Sequence, residues 1–422
     1  MSDEGCAMST RSKTRDIFAM TGLAGSNGAN AQPACGYDVT IIQTPVDCGF
    51  GFDITTGLGL NDDGAVVGYY WCSGWEHEEA FVWTAEEGFV TLERPEGVSS
   101  ARALDINDHP DRQIVGTVNI SGLGTRAFLI DGQEWIIIPP PAGGTFSSVA
   151  ALNNKRQVVG STADGTPYSK AYIWEDGVMT IIEPTFGPRS AGRATDGAGV
   201  VVGWMGISTG VDSHPFVWER AEMTDIGLAP NAFAASANAV SDDRTVLISA
   251  RLNDDDPAAR ITASFLWENA QFTDLGTLRG YDVVFGFDVN NDRSVVGMCR
   301  AVDSSDGPEV GFIWQDGVMT NINDLLPSDC ALTVYRAEAI NNVGQITGSA
   351  ANQDNDPVAF ILTPIEGPLA DLNRDCEVGV ADLLILLASW GPCKDCAKCP
   401  ADFNDDCAVG VVDLLILLGN WG

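Results

Sequence analysis

The chain has 422 residues, enough for two or three domains, and 58 Asp and Glu against 23 Lys and Arg give it a formal charge of −35. That acidity excludes nucleic acid, whose phosphates need a basic surface, and fits poorly with an anionic membrane. Three His residues (His77, His109 and His214) supply little acid–base or zinc chemistry, whereas the 11 Cys, five of them between Cys376 and Cys407, suit disulfides in an exported protein.

Arg11, Lys13 and Arg15 precede a mildly apolar stretch, 17–24, and Ala29-Asn30-Ala31 matches a small-x-small cleavage site. Residues 1–31 therefore read as a signal peptide of a secreted or cell-surface protein, with Met8 as an alternative start. The longest apolar run is far below the ~20 residues of a membrane helix, so no membrane span is expected. Residues 37–45 read as an isolated strand.

Between residues 50 and 364 one unit recurs seven times. Its clearest mark is an aromatic step at Phe81, Phe128, Tyr172, Phe216, Phe265, Phe312 and Phe360, spaced by 47, 44, 44, 49, 47 and 48 residues. A period of that length means repeated supersecondary units, a solenoid or a propeller, none of which buries its apolar face alone. Each unit starts with an alternating stretch ending in a polar turn, such as Leu60-Asn61-Asp62-Asp63-Gly64 or Ile340-Asn341-Asn342-Val343-Gly344. Asn, Asp and Gly tolerate positive φ, so these turns are hairpin chemistry. A triplet such as Val66-Val67-Gly68 or Val158-Val159-Gly160 follows, and the fifth unit departs with Val246-Leu247-Ile248. The aromatic step (Ala80-Phe81-Val82-Trp83), a second turn (Glu175-Asp176-Gly177) and a last strand (Val178-Met179-Thr180-Ile181-Ile182) complete the unit.

Four short strands in ~45 residues are the content of a propeller blade. Period-2 alternation excludes a helical solenoid, and a β-solenoid needs shorter layers. The seventh unit stops at Thr363-Pro364 without a fourth strand, so the strand at 37–45 is expected to complete it. The first strand carries small residues at one slot, Gly57, Ala103, Gly192, Ala237, Gly286 and Ala337, with Val149 as the exception, which suits crowding round an axis. Only Asp105, Asp288 and Glu338 supply axial acids, and they are scattered, without a nucleophile motif or metal triad. The expectation is therefore a protein that is not an enzyme.

These motifs resemble the HAF family of extracellular repeats, whose hallmark is an N-D-x-G-x-V-V-G turn and strand followed by H-A-F-L-W. The hallmark His slot here holds Glu79, Arg126, Lys170, His214, Ala263, Val310 and Val358. The resemblance implies secretion and a β fold, and no known activity.

After the link at Gly367-Pro368 come two copies spaced by 31 residues, Asp371-x-Asn373-x-Asp375 to Asp382 and Asp402-x-Asn404-x-Asp406 to Asp413, each running into a Leu-rich helix. Oxygen ligands at loop positions 1, 3, 5 and 12, with the carbonyl of Glu377 or Ala408 at position 7, are what a hard cation such as Ca²⁺ requires. The competing reading makes Asp382 and Asp413 acidic helix caps. The pair resembles a dockerin type I module of the Cys-containing planctomycete type, a small α-helical EF-hand-like module that holds two Ca²⁺ and docks onto cohesin domains. Cys376 and Cys407 replace the usual Gly at position 6, Gly379 and Gly410 give no side-chain ligand at position 9, and Val380-Ala381 and Val411-Val412 replace the usual Ser/Thr pair. The helices are apolar almost all round, and the surplus is expected to cover another surface. The Cys393–Cys399 stretch could hold zinc or form disulfides. The antiparallel loop–helix pair that the resemblance implies would put Cys393 near Cys407 and leave Cys376 as the free thiol.

The reading is a mainly β protein: a seven-bladed propeller over 37–364 and a dockerin-like module over 367–422. The expected function is non-catalytic binding, with a cohesin-like or cell-surface protein on the module and a glycan as a candidate propeller ligand. The alternative is a carbohydrate-active enzyme, a glycoside hydrolase or lyase, delivered by a dockerin.

Overall fold

The computed structural model describes residues 36–44, 54–72, 74, 77–207, 212–252, 262–301, 309–365, 367–373, 377–394, 396 and 399–421; the expected signal segment lies outside them. Two compact units are present, 39–363 and 364–422, with residues 36–38 grouped with the second.

The described residues of the first unit form seven antiparallel sheets of four strands. Six follow chain order: the first comprises Ile54–Leu60, Val66–Trp71, Glu79–Thr84 and Gly88–Thr91. The seventh joins Thr333–Ile340, Ile346–Ala351 and Pro357–Pro364 to Tyr37–Ile42 from the other end of the chain. The N-terminal strand thus closes the ring, and no blade keeps the open edge that an unfinished sheet would present.

The core lies between neighbouring blades. Phe81, Phe128, Tyr172, Phe216, Phe312 and Phe360 are all fully buried. One cluster spans the seventh and first blades, joining Ile42, Ala359 and Ile361 to Val66 and Phe81. The small slot of the first strand serves this packing. A Cβ on Gly57 would lie 2.4 Å from Thr347 Oγ1, and one on Gly192 would lie 2.4 Å from Val159 Cγ1. The small residues thus make room for the preceding blade, whereas the sequence reading assigned them to crowding at the axis.

Every first strand carries a β-bulge at the same place, as between Gly57 and Gly59 or Gly192 and Ala194. The bulge presses a carbonyl against the second strand. A Cβ on Gly68 would lie 1.9 Å from Thr56 O, and one on Gly203 would lie 2.0 Å from Ala191 O. The Gly of the V-V-G triplet suits this close backbone approach, although the fifth blade keeps the bulge with Ile248 in the same position.

The polar turn links the blades. The side chain of Asn61 accepts from Ala65 N at 2.8 Å, which caps its own turn, while its Nδ2 donates to Asn107 O of the next blade at 3.2 Å. Asn107 donates in turn to Asn153 O, Asn153 to Asp196 O, Asn290 to Asn341 O, and Asn341 back to Asn61 O at 2.8 Å. Asp196 and Ser241 cap their own turns but have no amide to extend. A second ring runs beside the first: the N–H of Asp62, Asp108, Gly197, Asp242, Asn291 and Asn342 each donates to the side chain of the next blade's equivalent residue.

The second unit is small. Helices Val380–Ala388 and Val411–Gly419 pack over Val378, Leu386, Val409 and Leu417, beside a ribbon of Gly391–Pro392 against Ala408–Val409. No described helix is long and apolar enough to cross a membrane.

Truncating the chain before Pro45 removes a strand in which Tyr37 and Ile42 are buried. The unfolding midpoint should then drop by about 10 °C or more. An unchanged midpoint would show that ring closure does not hold the fold together. Ser241→Asn supplies the missing amide opposite Asn290 O and is expected to add about 1 kcal/mol of stability, read by denaturant titration.

Candidate functional site

The bulges decide what faces the axis. A bulge re-aims the extra side chain out of the ladder. In chain order the seven bulge residues are Leu58, Leu104, Ala150, Arg193, Asn238, Phe287 and Glu338. The first three are two leucines and an alanine, so the bulge side chains of those blades offer no hydrogen bond. The next four blades supply a cation, an amide, an aromatic ring and a carboxylate. All seven border a cavity of about 920 Å³ along the axis. Trp204, Arg251, Phe285 and Arg300 from the second and first strands of blades four to six line the same cavity.

Most of these polar groups have fixed partners. Asn238 Nδ2 donates to Ser249 Oγ at 2.9 Å and to Gly286 O at 3.0 Å. Glu338 lies 2.8 Å from Arg336 Nε, and the Arg336 guanidinium stacks 4.8 Å over the Phe287 ring. Burial pushes the Glu338 carboxyl above its ordinary range, and Arg336 opposes that rise. Arg300 lies 3.8 Å from Glu309. Arg193 and Arg251 differ: among the described residues neither has a carboxylate partner. Loss of water around Arg193 lowers its pKa, the direction expected of a cation held without a counter-charge.

Asp105 and Asp288, the axial acids expected from sequence, line the cavity but are tied to the ring. Asp105 accepts from Leu152 N of the next blade at 2.7 Å and from Ile106 N at 2.9 Å. Asp288 repeats this with Ile340 N at 2.9 Å and Val289 N at 2.8 Å. Burial pushes Asp105 up to about 7, with the Asp288 charge adding to the rise, and Asp288 up to about 6. His214, the single His in the hallmark slot, pairs with Asp225 at 2.9 Å and stacks on Phe186.

In the second unit the proposed ligand residues fall into two loops. In the later loop, Asp402 accepts from Cys407 N at 2.8 Å, Asn404 Nδ2 donates to Asp406 Oδ2 at 2.8 Å, and Ala408 N donates to Asp406 Oδ1 at 2.9 Å. Asp413 is fully buried and accepts from Phe403 N and Gly410 N. In the earlier loop Asp382 accepts from Leu372 N, Asn373 N and Gly379 N, while Asp371 is buried and Glu377 exposed. Burial would raise the Asp382 carboxyl, but these three N–H groups hold it below its ordinary range. Asp375 lies outside the described residues. Asp382 and Asp413 do cap helices, but from the third helical position, reaching back to Gly379 and Gly410, so the capping reading and the loop reading describe the same bonds. The donor types of the second loop are oxygens, which suit a hard cation, but Asp402, Asp406 and Asp413 are held by N–H groups and their carboxylates do not cluster together.

The cysteines pair differently from the expectation. Cys393 bridges Cys399, and Cys396 bridges Cys407. Cys393 does lie beside Cys407, donating its N–H to Cys407 O at 2.9 Å. That backbone bond occupies the approach, and the Cys407 sulfur is met from the intervening loop. The expected Cys393–Cys407 bridge is therefore wrong, and Cys376 lies outside the described residues. With both pairs oxidised, the Cys393, Cys399 and Asp402 cluster offers no thiolates to zinc.

No family model and no curated protein matches the chain. Solved structures match the fold. The propeller domain of the Trilobed protease from Pyrococcus furiosus, described as having an open velcro topology, is 9% identical, with a TM-score of 0.50 over 74% of this chain and 95% of that one. The Pyrococcus horikoshii acylaminoacyl peptidase is 10% identical, with a TM-score of 0.47 over 74% and 51%. An oligogalacturonate lyase from Vibrio parahaemolyticus is 8% identical, with a TM-score of 0.46 over 79% and 98%. The likeness supports a propeller. It also corrects the expectation that the chain is not an enzyme: a similar propeller is a domain of a protease, so the fold gives no ground for excluding catalysis.

Sequence reasoning found Glu338 but missed Arg193, Asn238, Phe287, Trp204 and Arg251. The signal was present three residues before each polar turn, where the slot changes from Leu58, Leu104 and Ala150 to four functional side chains.

The raised acids make a pH prediction. A carboxyl whose folded pKa exceeds its unfolded value stabilises fully below the unfolded value, and that contribution is lost as pH rises through the folded value. Asp105 and Asp288 therefore contribute a loss of stability from about pH 4 to about pH 7. Asp105→Asn should flatten the fall in unfolding midpoint between pH 5 and pH 8; an unaltered slope would show that Asp105 does not titrate in that window.

Proposed function

We propose that the chain is a secreted or cell-surface protein whose propeller binds a ligand in its axial channel and whose C-terminal unit is a Ca²⁺-dependent docking element. The observation that carries the propeller part is the one-sided channel: three inert bulge residues face four functional ones, although the rings beneath repeat from blade to blade. Packing alone would give no reason for that division. Disulfides in the C-terminal unit are compatible with an oxidising, exported setting.

Asp371, Asn373, Asp375 and Asp382 would hold one Ca²⁺, and Asp402, Asn404, Asp406 and Asp413 a second, with the carbonyls of Glu377 and Ala408. The bound ion would supply the counter-charge that lets these carboxylates sit together. The docking face is apolar: Val380 and Val411 are both 63% exposed, and Leu384, Leu387 and Trp390 are matched by Leu415, Leu418 and Trp421 on the other helix. A cohesin-like or other surface protein suits such a face.

One observation favours a second reading, a carbohydrate-active enzyme. Asp105, whose carboxyl burial pushes up to about 7, lines the same cavity as Asp288, and glycosidic chemistry works with two carboxyl groups. Release of reducing ends from polysaccharides by the full chain, lost in Asp105→Asn, would establish it.

Calorimetric titration of the calcium-stripped full chain is expected to show two bound Ca²⁺, reduced to one in Asp413→Ala. No heat beyond dilution at millimolar Ca²⁺ would remove the calcium reading.

A further inference from the structure

The wall of the channel between blades four and six combines cations with aromatic rings on one cavity. Arg193 and Trp204 come from blade four, Arg251 from blade five, and Phe285 and Phe287 from blade six, all on one cavity. Arginine is scarce in this chain and mostly neutralised. Arg94 meets Glu79 at 2.6 Å, Arg156 meets Asp131 at 2.7 Å, and Arg293 meets Glu268 at 2.7 Å. With 58 acidic residues in the chain, two arginines that have no carboxylate partner among the described residues and share one cavity are a departure that solubility and stability do not explain. Glu338 does not balance them, because Arg336 already occupies it. Asp105 and Asp288 do not either, since each accepts two backbone N–H groups and burial favours their protonated forms.

Resting on the channel-binding reading, we propose that this wall is a site for a short acidic saccharide. Its carboxylate pairs with the Arg193 and Arg251 guanidinium groups, and its C–H-rich pyranose faces lie against Trp204 and Phe287. A guanidinium presents a planar fork that matches a carboxylate, and no lysine lines the cavity. The aromatic rings call for a ligand with an apolar face as well as a charge, which a bare inorganic anion lacks. A cavity of about 920 Å³ holds two or three sugar rings. A chain charge of −35 repels a long polyanion, so the ligand is short or presents a chain end. The apolar bulge residues Leu58 and Leu104 line the opposite wall and compete for no polar group.

The test uses the full chain and three disaccharides that differ only at one C6: cellobiose with a terminal glucuronate, cellobiose itself, and its 6-sulfate. Calorimetry should give the glucuronate form a Kd of about 1 mM or tighter and the neutral form at least about tenfold weaker binding. Arg193→Gln and Arg251→Gln should each weaken the glucuronate form about tenfold and leave the neutral form unchanged. Phe287→Leu should weaken both, and circular dichroism checks that each variant folds. A sulfate form that binds as well as the glucuronate form would keep the site and overturn its carboxylate preference. Equal binding of neutral and acidic forms, still sensitive to Phe287→Leu, would overturn the acidic class while the channel remains a ligand site. Preference for an acidic dipeptide, N-acetyl-aspartyl-glutamate, would overturn the saccharide. Binding by none of the four would remove the channel reading itself.

Discussion

One side chain with two simultaneous duties organises the propeller. An asparagine at the first turn of a blade has an oxygen that accepts from its own turn and a nitrogen that donates to the next blade, as Asn61 does with Ala65 N and Asn107 O. Aspartate and serine perform only the first duty. The ring of amide donations is consequently interrupted after Asp196 and Ser241, while their turns are intact. The second ring bridges both gaps, through Gly197 N to Asp242 Oδ1 and Asp242 N to Asn291 Oδ1. It fails in turn after Asn154, where Gly197 has no side chain to accept, and there the first ring is intact through Asn153 and Asp196. At each junction at least one link survives, and between Asp196 and Ser241 it is the bond from Gly197 N to Asp242 Oδ1. The two rings therefore cover for one another round the axis.

The period, the blade count and the closing strand were legible because each rests on local chemistry. Alternation, turn residues and a buried aromatic are visible in any one repeat, and the missing fourth strand after Pro364 could be matched with the surplus strand near Tyr37. The duties of individual residues were less legible. Asn61 read as a turn former, which it is, but its reach across 46 residues depends on how the blades sit side by side. The small slot had the right composition and the wrong neighbour, because crowding by Thr347 or Val159 comes from a blade that the sequence of Gly57 or Gly192 does not mention. The disulfides failed for a similar reason: backbone proximity of Cys393 and Cys407 was foreseeable, whereas the sulfur partner depended on the path of the loop between them.

The bulge connects this framework to the channel. The same kink that brings Ala191 O against Gly203 turns Arg193 toward the axis, so one backbone irregularity both crowds the facing strand and presents a side chain. The presented residue varies from blade to blade while the bulge is kept, even where Ile248 replaces the facing glycine. Leu58 and Arg193 occupy equivalent places without disturbing the strands around them. Repeats of this kind can therefore diversify at one slot in each blade while the rings below are preserved.

The C-terminal unit uses a different economy of parts. Asp382 and Asp413 are fully buried, and each is held by backbone N–H groups from both ends of its loop. Cys407 adopts φ 65°, a left-handed conformation that favours glycine, at the sharp turn of the second loop. The bridge to Cys396 anchors that residue from outside the loop. A residue disfavoured by its backbone conformation is thus fixed by a covalent contact, which explains how a cysteine can stand where a calcium loop ordinarily has glycine.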